Sequence, residues 1–135
     1  FQHDTDYEQA QRGLERVDHA IAMATMFLTE HMPIAAIIAL TESGGTARYL
    51  SRFRSPVPIY ALSRHAGARR QMSLMRDVFP MAFDSRGRHA EDAARGAIAM
   101  LREAGLLASG SRVLFTSGDT MEQHGATNTL RVLEA

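Results

Sequence analysis

Chemistry is most readable in one short polar stretch, Thr41-Glu42-Ser43-Gly44-Gly45-Thr46, directly behind the apolar run 34–40. Paired glycines let a backbone approach a ligand closely. A helix starting there would offer unpaired N–H groups and the positive end of its dipole. With Thr41, Ser43 and Thr46 adding hydroxyls, the stretch has the make-up of a phosphate cradle that works without lysine. The same residues also suit a plain strand-to-helix turn, in which Ser43 caps the helix and the glycines ease the bend. A second polar stretch, 117–128, follows the expected strand 111–117. Asp119 and Glu122 put negative charge there, which disfavours a second phosphate unless Arg or Mg²⁺ compensates.

Other chemistries find little support in the residue types. Cysteine is absent, which excludes disulfides, thiolate catalysis and Cys-based metal sites, and fits a reducing cytoplasm. All 15 basic residues are Arg, so a P-loop lysine and Schiff-base chemistry are excluded. The six histidines, at 3, 19, 31, 65, 89 and 124, show no HExxH or other metal spacing and read as structural or solvated. Neither G-x-S-x-G nor G-x-G-x-x-G occurs. Asp84-Ser85 closes a strand and reads as a helix N-cap. The eight methionines read as core filler. A free-standing enzyme of flavodoxin-like shape would need a nucleophile–base pairing that no constellation here supplies. A regulatory or binding module is the more economical reading.

Formal net charge is zero, but its distribution is uneven. Residues 1–30 carry six carboxylates against Arg12 and Arg16, whereas 43–76 carries seven Arg and no carboxylate. Arginine forks suit phosphate and carboxylate; a solvated face or one that meets an acidic partner is the alternative. The basic stretches are not interleaved with stacking aromatics, and Trp is absent, which argues against nucleic acid. No apolar run approaches the ~18 residues that span a bilayer.

These groups must be positioned by an alternating pattern of elements. Residues 1–15 are polar, lack apolar periodicity and read as a tail or linker. Val17, Ala20, Ile21, Ala24, Phe27 and Leu28 recur at helical spacing, with Pro33 just beyond. The run 34–40 predicts a strand buried on both faces. A helix over 46–54 stops at Pro56, a strand follows at 58–63, and a short helix at 65–76. A third strand at 78–84 contains Pro80, which places it near an edge. Ala90, Ala93, Ala94, Ala97, Ile98, Leu101 and Ala104 form a narrow small-residue helix face that ends at Gly105. Such a face packs closely on a sheet or on a neighbouring subunit. Strands at 111–117 and 127–134 close the chain. The pattern predicts a three-layer α/β/α sandwich of about five strands, mostly parallel. The last connection is too short for a crossover, so the fifth strand should run antiparallel. A doubly wound order would make the first and fourth strands neighbours, and then 117–128 closes over 41–46 at the switch point.

The blocks AIAMAT, IIALTESGGTARYLSRFR, PIYALSRHAGARRQMSLMRDVFP, GLLASGSRVLFTSG and TNTLRV, in this order, resemble the C-terminal α/β domain of pyruvate kinase. The resemblance covers about residues 15–135 and is to the bacterial form activated by AMP or sugar monophosphates. It implies a domain at 16–135 that holds an allosteric effector, with 1–15 as the linker from a preceding catalytic barrel. In the family the loop matching Thr41, Glu42, Ser43, Gly44, Gly45 and Thr46 wraps the effector's phosphate. The loop matching Ser117, Gly118, Asp119, Thr120, Gly125, Ala126 and Thr127 folds over its sugar. The complete enzyme transfers a phosphoryl group from phosphoenolpyruvate to ADP with Mg²⁺ and usually K⁺. That chemistry belongs to the barrel, so no cofactor is expected in this fragment and it should be inactive alone. The resemblance also implies a cytoplasmic homotetramer in which this domain forms one interface, the last strand taking part. A subunit-interaction module with a vestigial phosphate loop is the alternative.

Three positions depart from the family pattern. Position 45 is Gly where relatives often carry Arg, which removes one charged phosphate contact. Forms that respond to fructose bisphosphate place Trp and Arg near the start of the long helix; here Trp is absent and the matching Arg position is Ala93. Asp77 stands where a Gly is common. The chain begins without Met and reads as a piece of a longer product.

Overall fold

The computed structural model describes residues 2–118 and 127–135, with side chains in the first helix described from Val17 onward. Nine elements follow in order: α1 (Gln2–His31), β1 (Ala36–Leu40), α2 (Gly45–Arg52), β2 (Ile59–Ser63), α3 (Ala66–Met72), β3 (Val78–Ala82), α4 (Ala90–Glu103), β4 (Arg112–Ser117) and β5 (Thr129–Glu134). The strands form one sheet in the order β3-β2-β1-β4-β5. β1 pairs parallel with β2 (Ile38 opposite Tyr60) and with β4 (Ile38 opposite Phe115). β2 and β3 are also parallel, whereas β5 runs antiparallel to β4. The expected α/β sandwich is therefore present, with β1 and β4 adjacent and Pro80 on an edge strand.

Two apolar layers hold the sheet. On one side Ala22 and Met26 of α1, Ala47 and Leu50 of α2 and Met72 of α3 pack on Ile37, Ala39, Ile59, Ala61 and Leu114. On the other, α4 lays Ala93, Ala94, Ala97, Ile98 and Leu101 on Ile38, Leu40, Leu62, Val113 and Phe115. The alanine-rich face is thus spent on the sheet, where small side chains let the helix come close. β1, β2 and most of β4 are buried on both faces, which is why they read as unbroken apolar runs.

Two expectations change. First, α1 begins at Gln2 rather than near Val17. Residues 2–15 include three Gln and two Glu with one Ala, one Arg and one Leu, good helix formers on any face, so helix forms there without an apolar period to announce it. Second, the inward face of α1 is Asp18, Ala22, Thr25, Met26 and Thr29. Ile21 and Leu28 are half-buried, and Val17, Ala20, Ala24 and Phe27 face outward. The two inward threonines become buriable by donating back to the helix: Thr25 Oγ1 to the Ile21 carbonyl and Thr29 Oγ1 to the Thr25 carbonyl, each at 2.7 Å. Their polar atoms are then satisfied and their methyl groups pack.

Candidate functional site

The strand order reverses between β1 and β4: β1 continues into α2 on one side of the sheet, while β4 is reached from α4 on the other. Loops that leave the carboxyl ends of two such strands diverge and leave a crevice. Residues 41–46 lie at that point, as do Ser117 and Gly118 at the end of β4 and Thr127 ahead of β5.

The turn after β1 is built tightly. Gly44 is the N-cap of α2 with φ 89° and ψ 6°, a left-handed conformation that favours glycine. Its N–H donates to Thr41 Oγ1 at 3.0 Å. Neither a side-chain cap nor an acidic residue occupies the first turn of α2, so its leading dipole is met by neither at that end. Gly45 opens the helix. Ser43 is half-buried beside it, its Oγ 3.6 Å from the place a Cβ on Gly45 would take. Thr46 is buried, and its hydroxyl meets that of Thr127 at 2.6 Å. This one bond joins two stretches that lie 81 residues apart in the chain.

Glu42 points the other way. Its buried carboxylate takes His65 Nε2 at 2.5 Å, and Arg64 Nε lies 3.3 Å from the same oxygen without hydrogen-bond alignment. The Glu42 carbonyl accepts from Ser63 Oγ at 3.3 Å, Ser63 Oγ accepts the His65 N–H at 3.1 Å, and Arg69 Nη1 donates to the Ser63 carbonyl at 2.9 Å. The turn after β1 is thereby bolted to the turn after β2. An open cleft of about 600 Å³ lies on this flank, with Glu42, Ser43, His65, Arg70 and Gln71 among its walls.

On β4, Thr116 Oγ1 and Ser117 Oγ are buried and, among the described residues, have no hydrogen-bond partner. Buried hydroxyls normally find one, so two orphans at the switch point mark a place suited to a polar guest. Gly118 follows directly on them. Asp119, Thr120, Gly125 and Ala126 lie outside the described residues. Ala93 is buried against the sheet, on the core side of α4.

Sequence reasoning missed Asp18. It is 3 % exposed, and its Oδ2 would stand 3.9 Å from a Cβ on Gly45. The available signal was a carboxylate inside an apolar-periodic stretch. It also missed the Ser63–His65 bolt, which no spacing announces. Asp84-Ser85 does not cap α4; His89 holds the N-cap position. The turn at Gly87, φ 74°, intervenes. Asp84 instead takes Arg86 in a fork, Nη2 to Oδ2 at 2.7 Å and Nε to Oδ1 at 3.1 Å. The Arg86 hydrogen bonds hold the Asp84 carboxyl well below the usual carboxylate range.

Comparison with known proteins agrees with this architecture. The family profile for "Pyruvate kinase, alpha/beta domain" matches residues 19–133. The chain belongs to the pyruvate kinase alpha/beta domain family. It is 44 % identical to pyruvate kinase II of Salmonella typhimurium over 123 residues, covering 88 % of this chain and 25 % of that protein. A pyruvate kinase of Buchnera aphidicola from Acyrthosiphon pisum is 43 % identical over 119 residues, 87 % of this chain and 25 % of that one. Pyruvate kinase 2 of Synechocystis is 30 % identical over 131 residues, 97 % of this chain and 22 % of that one. The chain thus spans about a quarter of the length of these relatives. Among the described residues no helix is long and apolar enough to cross a membrane.

Asp77 lies on the way into β3. Its φ is 63°, the left-handed region where a glycine is unstrained and Asp is among the few side chains tolerated. Its carbonyl accepts the Ile59 N–H at 2.9 Å and so joins β3 to β2.

Proposed function

We propose that this domain binds the phosphate of a small allosteric effector, AMP or a sugar monophosphate, as the regulatory domain of a pyruvate kinase. The observation that carries the reading is the Thr46–Thr127 hydroxyl pair at the switch point. It joins Thr46 of the first candidate loop to Thr127 of the second, beside a helix N-terminus that no side chain among the described residues caps. The orphaned hydroxyl of Thr116, on the α1–α2 face of β4, supports it from below. In this reading the leading N–H groups of α2 and the hydroxyl of Ser43 receive the phosphate oxygens, and 117–127 covers the rest of the ligand. Glu42 acts as the bolt that holds the turn in shape and leaves the ligand to its neighbours.

The phosphoryl transfer from phosphoenolpyruvate to ADP would belong to a catalytic barrel of the whole protein. We place Mg²⁺ and K⁺ with that barrel and derive no step through them. Calorimetric titration of the chain with AMP, ribose 5-phosphate and glucose 6-phosphate tests the effector reading. A binding ligand raises stability by mass action, about 2.7 kcal/mol at a hundredfold excess over Kd. No heat and no thermal shift with any monophosphate at millimolar concentration would sink it. In the complete enzyme, Ser43→Ala should weaken activation and leave the maximal rate unchanged.

A second role, subunit association, is favoured by a separate observation. Val17, Met23 and Phe27 of α1 are 42, 52 and 59 % exposed, and β5 is an open edge that carries exposed Val132. Exposed apolar rows and unpaired edges are features that proteins usually cover. We read this side as the domain's contribution to a homotetramer. Sedimentation tests it: a monomer at all concentrations would count against association through this domain alone.

A further inference from the structure

Asp18 sits on α1 at the level of the cradle. It is 3 % exposed, and a Cβ on Gly45 would stand 3.9 Å from its Oδ2. Gly45 is the first residue of α2, whose opening turn has no acidic side chain of its own. A carboxylate from another helix therefore lies at the positive end of α2, where negative charge is stabilised. The second observation is Thr116, fully buried and, among the described residues, without a hydrogen-bond partner for its Oγ1. It follows Leu114 by two residues on β4 and pairs in register with Ala39. Both of those side chains pack in the α1–α2 layer, and alternation along a strand puts Thr116 on that same face. The α1–α2 side of the sheet thus carries both the Asp18 carboxylate and, among the described residues, an unanswered hydroxyl.

We propose that Asp18 is the resident anion of the α2 N-terminus and sets how tightly the cradle takes phosphate. This rests on the reading of 41–46 as a phosphate cradle. In the ligand-free chain the carboxylate complements the dipole of α2 and holds its first turn. When a phosphate arrives, the two anions share one helix end, and the repulsion subtracts from affinity. The same repulsion selects against more highly charged ligands, since each added charge near Asp18 is opposed again. It also falls on α1, a single helix of 30 residues, so the element that answers ligand binding is α1 rather than the sheet. Asp18 is here a specificity and positioning residue; it does not donate to the ligand.

The charge acts in opposite directions on two observables, and this makes the test decisive. Asp18→Asn keeps the shape and removes the charge. The chain and this variant are titrated with inorganic phosphate by calorimetry, and both are melted without ligand; Asp18→Ser serves as a smaller second variant. The expected result is a lower Tm without ligand together with phosphate binding about tenfold tighter, the order for removing a unit charge a few ångströms from a polyanion in partly hydrated surroundings. A residue of purely structural role would lower Tm and leave affinity unchanged or weaker; so would one that accepts a hydrogen bond from the ligand. If the unaltered chain binds phosphate and both variants bind no tighter, the inference falls and the cradle stands. If none of the three binds, the cradle reading falls and takes the inference with it.

Discussion

Adjacent glycines at the cradle should respond to alanine in opposite ways. Gly44 holds φ 89°, and a Cβ there would come 3.0 Å from Met72 Cγ and 3.3 Å from its Sδ. The left-handed backbone costs an L-residue roughly 1–2 kcal/mol. Met72 is fully buried, so although its side chain is flexible, it yields only by disturbing its neighbours. Against this, alanine restricts the unfolded chain and returns about 0.4–1 kcal/mol. The net expectation for Gly44→Ala is a loss of about 1–2 kcal/mol, a fall in Tm of roughly 5 °C for a domain of this size. Gly45 has an ordinary helical φ, and its nearest neighbours would be Ser43 Oγ at 3.6 Å and Asp18 Oδ2 at 3.9 Å, normal contact distances. Gly45→Ala keeps the entropic gain and suits a helix, so it should stabilise by about 0.5 kcal/mol. Urea denaturation of both variants measures the difference directly. If both shift the same way, or if Gly44→Ala matches the parent, then the turn does not hold the conformation on which the cradle depends.

Three further outcomes follow from named contacts. Thr46→Val or Thr127→Val alone strands a buried hydroxyl and should lose about 1–2 kcal/mol; the double variant should lose less than the sum, by about 1 kcal/mol, and strict additivity in chemical denaturation would deny the contact. Asp77→Val should destabilise by about 1–2 kcal/mol, because a β-branched residue is poorly tolerated at φ 63°, whereas Asp77→Gly should be neutral or better; equal melting of the two would refute the strain. The depressed Asp84 carboxyl contributes stability above its ordinary value of about 3.9, and this contribution is lost as pH falls toward the folded value. NMR titration should find Asp84 ionised at a pH where other carboxyls have protonated, and Arg86→Ala should restore an ordinary midpoint; a normal midpoint in the parent would exclude the fork in solution.

Much of the fold was legible because local and global signals agreed. β1 and β2 lie between helices on both faces, so their sequences carry no polar alternation, and burial shows in composition alone. The short connection to β5 leaves no room for a crossover, so its length alone requires the strand to turn back antiparallel. The adjacency of β1 and β4 followed from the alternation of strands and helices, and it lets Thr46 meet Thr127. What stayed hidden depends on distance in sequence. The Thr46–Thr127 pair spans 81 residues, and hydroxyls give no spacing signal. Glu42 read as one member of a polar loop, yet its carboxylate serves His65 and Arg64 on the neighbouring turn. Asp84 lay close enough to Arg86 to be taken by it instead of capping α4.

The first helix was misread for a reason that bears on what it does. Hydrophobic periodicity finds an apolar face but cannot say whether the protein's own core covers it. In α1 the row Val17, Ala20, Ala24 and Phe27 has the regular spacing, and it points outward. The row that packs on the sheet contains an aspartate and two threonines, residues that no hydropathy count would choose. They are admitted because each has local compensation: the threonines bond back to carbonyls one turn earlier, and Asp18 lies at the positive end of α2. A helix that spends polar residues inward while keeping a better apolar row outside is not optimised for this domain alone. Its outer row fits a helix that packs twice, once on its own sheet and once on a neighbour. On this argument Phe27→Ser should leave the stability of the isolated chain nearly unchanged, within about 0.5 kcal/mol as for an exposed site, and should weaken self-association in sedimentation. A large loss of monomer stability would show instead that Phe27 belongs to the core, and the two-faced reading of α1 would fail.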